Sequence, residues 1–329
     1  MRSVQNSTRP VYHAVSVVAA PLSFLLALVV LLSFIARDQG FLTGQNWQTI
    51  VQSTAVVAIL AVGETAVIIT GGIDLAVGRV LALAGVVAAS AMVNHHAGIA
   101  AGVAWACGVG TLCGLVNGIL ATYGRMPAFI ATLGMMGVAN GLALMLSGDT
   151  NISGLAPGFD VFSTGELLGS PTRHGIPVPL LLMLGAALGV HLLLARTAWG
   201  RSLYAVGGNR DAARLSGISL VRVTITVFML SGLLSGFAAV IHISRTGGAQ
   251  PTAGAGMELQ AIAAAVIGGT SLMGGVGNVA GTLIGAFLMA VIQNGCDLRG
   301  IHPHFQVIII GSVIWLASLY DGWRRRIAR

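Results

Sequence analysis

Apolar residues fall in long, nearly unbroken runs rather than in the alternation of a half-buried strand or the stripe of a soluble amphipathic helix. Ten runs lie near residues 14–36, 47–69, 74–93, 97–122, 128–147, 178–195, 220–243, 258–272, 276–293 and 304–321. Runs of this length cross a hydrocarbon core about 30 Å thick. The pattern predicts an all-α, polytopic membrane bundle of about ten transmembrane helices, forming one transmembrane domain over residues 1–329. Several connections are very short, so chain neighbours pack as antiparallel helices. The one long outer connection, 148–177, is rich in Gly, Pro and Ser. The first run is too long for a signal-peptide core of 7–15 residues, which predicts an uncleaved first spanning helix.

One stretch breaks the pattern. "YAVGGNRDAARLSGI", Tyr204 to Ile218, carries start and stop signals for a short water-facing helix of about two turns. Asn209 is a good N-cap, and Asp211 in the first turn and Arg214 near the end suit the helix dipole. Gly217 fits the position just past the helix, with Ile218 as the accompanying apolar contact. So short a helix is marginal alone in water, because nucleation is costly. Its small face, Ala212 and Ala213, suits close approach to a groove, and its charges suit the rim of a partner. The competing reading is a solvated loop helix lying on the bilayer.

Two Gly-rich breaks also interrupt the runs. "GGIDLAVG" (Gly71, Gly72 to Gly78) and "GGTSLMGG" (Gly268, Gly269 to Gly275) share the pattern G-G-x-x-L-x-x-G at an offset of 197 residues. An apolar helix leads into each and another leads out. Such pairs let the backbone break at membrane depth, and duplicated halves with broken helices build many transport pathways. With 46 glycines in the chain, a chance match is the competing reading.

Charges within apolar runs are costly and mark candidate functional groups. Glu64 lies in the second run, Asp74 in the first break and Arg79 five residues on. Arg79 is a candidate partner of Asp74 or of Glu64; the set either shapes a pathway or forms a structural ion pair at the helix ends. The amides Asn117, Asn140, Gln293 and Asn294 are candidates for transient hydrogen bonds to a passing solute or for bonds between helices.

Composition fits this picture. The chain is 55% hydrophobic and 8% charged, and all 17 basic residues are Arg. Without Lys there is no standard P-loop and no lysine Schiff base. The net charge of +7 is explained by arginines as topology signals rather than by nucleic acid binding. With a cytoplasmic N-terminus, twelve arginines fall inside (Arg2, Arg9, Arg125, Arg196, Arg201, Arg210, Arg214, Arg222, Arg324, Arg325, Arg326, Arg329) and four outside (Arg37, Arg173, Arg245, Arg299). Both termini and the 204–218 stretch are therefore expected in the cytoplasm. The three cysteines lack metal-ligand spacing, and the pairs His95–His96 and His302–His304 sit at outer helix ends. No H-E-x-x-H, G-x-S-x-G or Cys-x-x-Cys pattern occurs, so neither a cofactor nor a catalytic centre is expected.

The chain resembles the permease subunits of bacterial ATP-binding-cassette importers for ribose, xylose and related monosaccharides. The resemblance runs through "TGGIDLAVGRVLALAGVVAA", "GLVNGILATYGRMPAFIATLG", "GIPVPLLLML", "YAVGGNRDAARLSGI" and "AIAAAVIGGTSLMGGVGNVAGTLIGA", in that order, over nearly the whole length. It implies a permease dimer, of two copies or with a paralogue, in the inner membrane. It also implies a cytoplasmic ATPase subunit and an extracytoplasmic sugar-binding protein. Tyr204–Ile218 then corresponds to the coupling element, with Tyr204, Gly207, Gly208, Asn209, Arg210, Asp211, Ala212, Ala213, Arg214 and Gly217 as contact candidates. The family commonly has Ser at Arg79, Arg at Asn140 and at Val276, and often an acid at Arg210.

The expected function is therefore a sugar pathway driven by a partner ATPase, with Glu64, Asp74, Asn117, Asn140 and the two breaks as pathway candidates. The rivals are the same architecture carrying a nucleoside or amino acid, an ion-coupled secondary transporter, and, last, an intramembrane enzyme.

Overall fold

The computed structural model describes residues 9–168 and 175–327; Arg2, Arg173 and Arg329 lie outside the described residues. In chain order the helices are α1 (Arg9–Ile35), α2 (Gly44–Ile69), α3 (Val77–Asn94), α4 (Ile99–Thr122), α5 (Ala128–Ser147), α6 (Val161–Thr164), α7 (Val178–Arg196), α8 (Ala198–Gly208), α9 (Arg210–Leu215), α10 (Leu220–Thr246), α11 (Met257–Ile267), α12 (Val279–Leu298) and α13 (Pro303–Ile327). Among the described residues, seven helices (α2, α3, α4, α5, α7, α10 and α12) are long and apolar enough to cross a membrane. The chain is thus a polytopic helical membrane protein. The runs at 14–36 and 304–321 fall within α1 and α13. The run at 258–272 does not form a spanning helix: α11 has eleven residues, about 16 Å at 1.5 Å per residue.

Helix α2 is the hub. It is buried almost throughout and touches α7, α10, α11 and α12. Its Thr65 hydroxyl lies 2.6 Å from that of Thr282 on α12. Asn46, on α2, and Asn294, on α12, exchange two amide hydrogen bonds of 3.0 and 2.7 Å. Asn294 therefore joins helices rather than facing a passage. Replacing Asn294 by Leu should cost about 1 kcal/mol, the usual scale for an interhelical polar contact in a membrane. Thermal unfolding in detergent checks this.

Helices α4 and α10 pack backbone to backbone. Ala106, Gly110, Gly114 and Gly118 recur every four residues on one face of α4. A Cβ on Gly110 would strike the Gly232 backbone, one on Gly114 that of Phe228 and one on Gly118 that of Ile225. Small residues at this spacing let two backbones approach, which is how membrane helices gain packing energy without a hydrophobic drive. The outward faces of α4, α5 and α7 expose Leu, Val, Ile and Phe.

The 148–177 connection is ordered where it is described. Ile152–Ser153 pairs antiparallel with Gly248–Ala249, and Glu166–Leu167 with Ile176–Pro177. The Ser244 hydroxyl, on α10, lies 2.9 Å from both the Phe159 carbonyl and the Ser163 hydroxyl. This end is opposite the one where α9, with Arg210 and Arg214, meets the start of α10, with Arg222.

Candidate functional site

The local chemistry of α9 folds it as its sequence indicates. Asn209 Oδ1 accepts from the Ala212 amide at 2.9 Å. Asp211 occupies the first turn and Arg214 the last. Gly217 takes φ +82°, its amide donating to Arg214 O and that of Ile218 to Ala213 O, both at 3.0 Å. These two bonds form a complete Schellman stop. The helix covers 210–215, as the Asn209 start and Gly217 stop indicate, and Tyr204–Gly208 belong to the preceding α8, which Asn209 also ends. One expectation is corrected. Ala213 is buried against its own chain while Ala212 is exposed, so they do not present one face. Outward point Arg210, Asp211, Arg214 and Leu215, the last 89% exposed. The sequence reading missed Leu215; an apolar residue on the charged face of a two-turn helix was the available signal.

Helix α8 connects α9 to both breaks. Gly207 faces inward, where a Cβ would collide with the carbonyl oxygen of Ile69, at the end of α2, and with the Gly275 amide. That amide donates to Ile69 O at 2.9 Å, tying the second break to the first. Tyr204 OH donates to Gly277 O at 2.9 Å. Burial pushes the Tyr204 phenol above its usual range, keeping it a neutral donor. Gly208 meets nothing within 4 Å. Beneath the first break lies a cavity of about 300 Å³ lined by Thr70, Gly71, Gly72, Met126, Thr224 and Arg210. Arg210 thus stands where a change at α9 reaches the end of α2.

The breaks share a device but not a register. Gly71 (φ +80°) ends α2 and Gly269 (φ +91°) ends α11, each with the same pair of backbone bonds. Matched on these helix ends the offset is 198 residues rather than 197. The second break is longer, since α3 starts at Val77 and α12 at Val279. Gly268 packs directly on Gly281, and Gly275 is left-handed with φ +75°.

Glu64 and Asp74 come together, without Arg79. Both are fully buried, at 0% and 2% exposure. Glu64 Oε1 accepts from the Asp74 amide at 3.1 Å. Asp74 Oδ1 accepts from the Ala76 amide at 3.0 Å, and its Oδ2 from Ser231 Oγ at 2.8 Å. Thr132 Oγ1 accepts from the Leu75 amide at 3.1 Å. Arg79 instead donates to Thr252 O at 3.1 Å. The expected Arg79 ion pair is therefore replaced by a hydrogen-bonded brace, because Asp74 turns back to the level of Glu64 while Arg79 starts the next helix. Asn117 is buried with Oδ1 unpartnered. Asn140 is half-buried on α5. Gly78 packs against Gly254.

The membrane bundle, its two broken helices and a strut leading from them to an exposed capped helix define a transport protein. The chain belongs to a permease family: residues 46–318 match the family described as branched-chain amino acid transport system / permease component. It is 43% identical over 300 residues to the ribose import permease protein RbsC of Escherichia coli (strain K12), covering 91% of this chain and 92% of that one. It is 41% identical to the ribose import permease protein RbsC of Bacillus subtilis (strain 168), covering 92% and 91%. It is 34% identical to the xylose transport system permease protein XylH of Escherichia coli (strain K12), covering 88% of each. No solved structure matches.

Proposed function

We propose that the chain is the membrane subunit of an ATP-driven monosaccharide importer, with its arginine-rich end and both termini in the cytoplasm. A partner ATPase docks on α9, and α8 carries its movement to both broken helices at once. A second copy or a paralogue completes the passage, and a sugar-binding protein delivers from the opposite end. The observation that carries this reading is the seat of α8 on Ile69, Gly275 and Gly277, directly behind a helix that exposes Leu215 and three charges. Such a connection serves a chain moved from outside and is superfluous in a self-sufficient carrier. Sugar as the cargo is supported by the ribose and xylose permeases it resembles over about nine-tenths of its length.

Reconstitution tests it. D-ribose uptake should require ATP, the ATPase and the binding protein. Accumulation by this chain alone, driven by an ion gradient, would overturn the reading. The docking role has a sharper test. Leu215→Asp should weaken ATPase binding at least tenfold, about 1.4 kcal/mol, while leaving thermal unfolding unchanged because the side chain touches little of its own chain. Asn209→Pro and Arg214→Glu should separate ATP hydrolysis from uptake. Unchanged coupling in all three variants would remove α9 from the proposal.

A further inference from the structure

The eleven residues of α11 place its start inside the membrane. Its Gly268 end meets the second break, which is bonded to the end of α2 through Gly275 and Ile69. Met257 therefore lies about 16 Å further in, halfway across a core of about 30 Å. At that depth the chain enters α11 through residues 250–256, an irregular stretch with Gly254 at φ +74° and Gly256 at φ +80°. Gly254 and Gly78 pack so closely that a Cβ on either would strike the other's backbone. The start of α3 is thereby held at the same depth, and neither α3 nor α11 has a side-chain cap.

This brings uncommon chemistry to mid-membrane. Arg79 is half-buried and, among the described residues, its guanidinium is held by the Thr252 carbonyl. Glu258 is turned into the protein beside this stretch: its Oε1 accepts from the Gly256 amide at 3.2 Å, and its Oε2 is buried with no partner among the described residues. Thr252 and Ala255 are exposed on the surface of the protomer. Lipid does not tolerate such a face: non-helical backbone and a charged side chain at this depth occur where they line water or are buried in protein. Helix α5 exposes Leu133, Val138 and Leu142 instead.

The geometry points to residues 250–256 and Arg79 as the solute-recognition stretch of an aqueous passage, with a guanidinium and the backbone carbonyls of the irregular stretch offering donor and acceptors to the hydroxyls of a neutral polyol. The assignment rests on the permease reading. It moves recognition away from Glu64 and Asp74, which are sealed inside the protomer.

Thiol labelling in native membranes holding the assembled complex tests it without reference to the cargo. An anionic methanethiosulfonate should label Thr252→Cys at least tenfold faster than Val138→Cys, which lies at similar depth on α5; wild type, with its three native cysteines, sets the background. Adding Arg79→Glu should slow that anionic reagent and speed a cationic one, a reversal that a merely structural role would not produce. Labelling of Thr252→Cys no faster than Val138→Cys, while Asp38→Cys, at an exposed loop position, reacts fully, would overturn the passage. D-ribose uptake separates the two readings. A labelled Thr252→Cys with no uptake by wild type leaves the passage standing and removes the sugar. Normal wild-type uptake with a silent Thr252→Cys removes the passage and leaves the sugar.

Discussion

Gly207→Ala should abolish ATP-driven uptake, whereas Gly208→Ala, one residue on, should be close to neutral. The difference lies in what each new methyl meets. At Gly207 it would strike the Ile69 carbonyl and the Gly275 amide, both backbone groups that no rotamer change moves aside. Gly208 has open space. Overpacking of this kind costs about 1–3 kcal/mol, and here α8 would have to leave its seat on both breaks to relieve it. Movement of α9 would then no longer reach α2, α11 and α12. ATP hydrolysis should continue, uncoupled from uptake. Tyr204→Phe is the graded companion: it removes only the 2.9 Å bond to Gly277 O, worth about 1 kcal/mol, and should lower uptake per ATP without abolishing it. Uptake and hydrolysis measured together in proteoliposomes give both numbers. Normal coupling in Gly207→Ala would show that α8 transmits nothing.

What the sequence could and could not reveal divides along the range of the forces involved. The stop and start of α9 were legible because Asn209, Asp211, Arg214 and Gly217 act on their own neighbours. The Gly breaks were legible for the same reason, yet the one-residue shift between them was not, since it depends on which glycine takes positive φ. Hydropathy marks an apolar run without recording depth, so α11 reads as a span until its length is seen. Nor does it separate the buried hub α2 from the outward-facing α5, which have equal mean hydropathy. The partner of Arg79 is a backbone carbonyl 173 residues away, which no residue type announces. The four-residue spacing of Ala106, Gly110, Gly114 and Gly118 was readable as a packing face but is easily lost among 46 glycines.

The roles of Glu64 and Asp74 are where that division matters most. Asp74→Ala should be among the most destabilising substitutions in the chain. It strands the Ser231 hydroxyl and the Ala76 amide in a fully buried site. At about 1–3 kcal/mol for each orphaned group, a loss of roughly 3–5 kcal/mol is expected, with the start of α3 released from α10. Glu64→Gln is expected to cost less than about 1 kcal/mol, because its amide oxygen can still accept from the Asp74 amide and the lost oxygen is the unpartnered one. Glu64→Ala removes that acceptor and leaves a void, so it should fall near Asp74→Ala. Unfolding midpoints in detergent rank the three, and uptake by each stable variant completes the test. If the acid at 64 carried solute or protons, Glu64→Gln would be stable and transport-dead. A stable, active Glu64→Gln beside an unstable Asp74→Ala fixes the pair as the brace that holds a broken helix in a shape Gly71 and Gly72 permit but do not by themselves select.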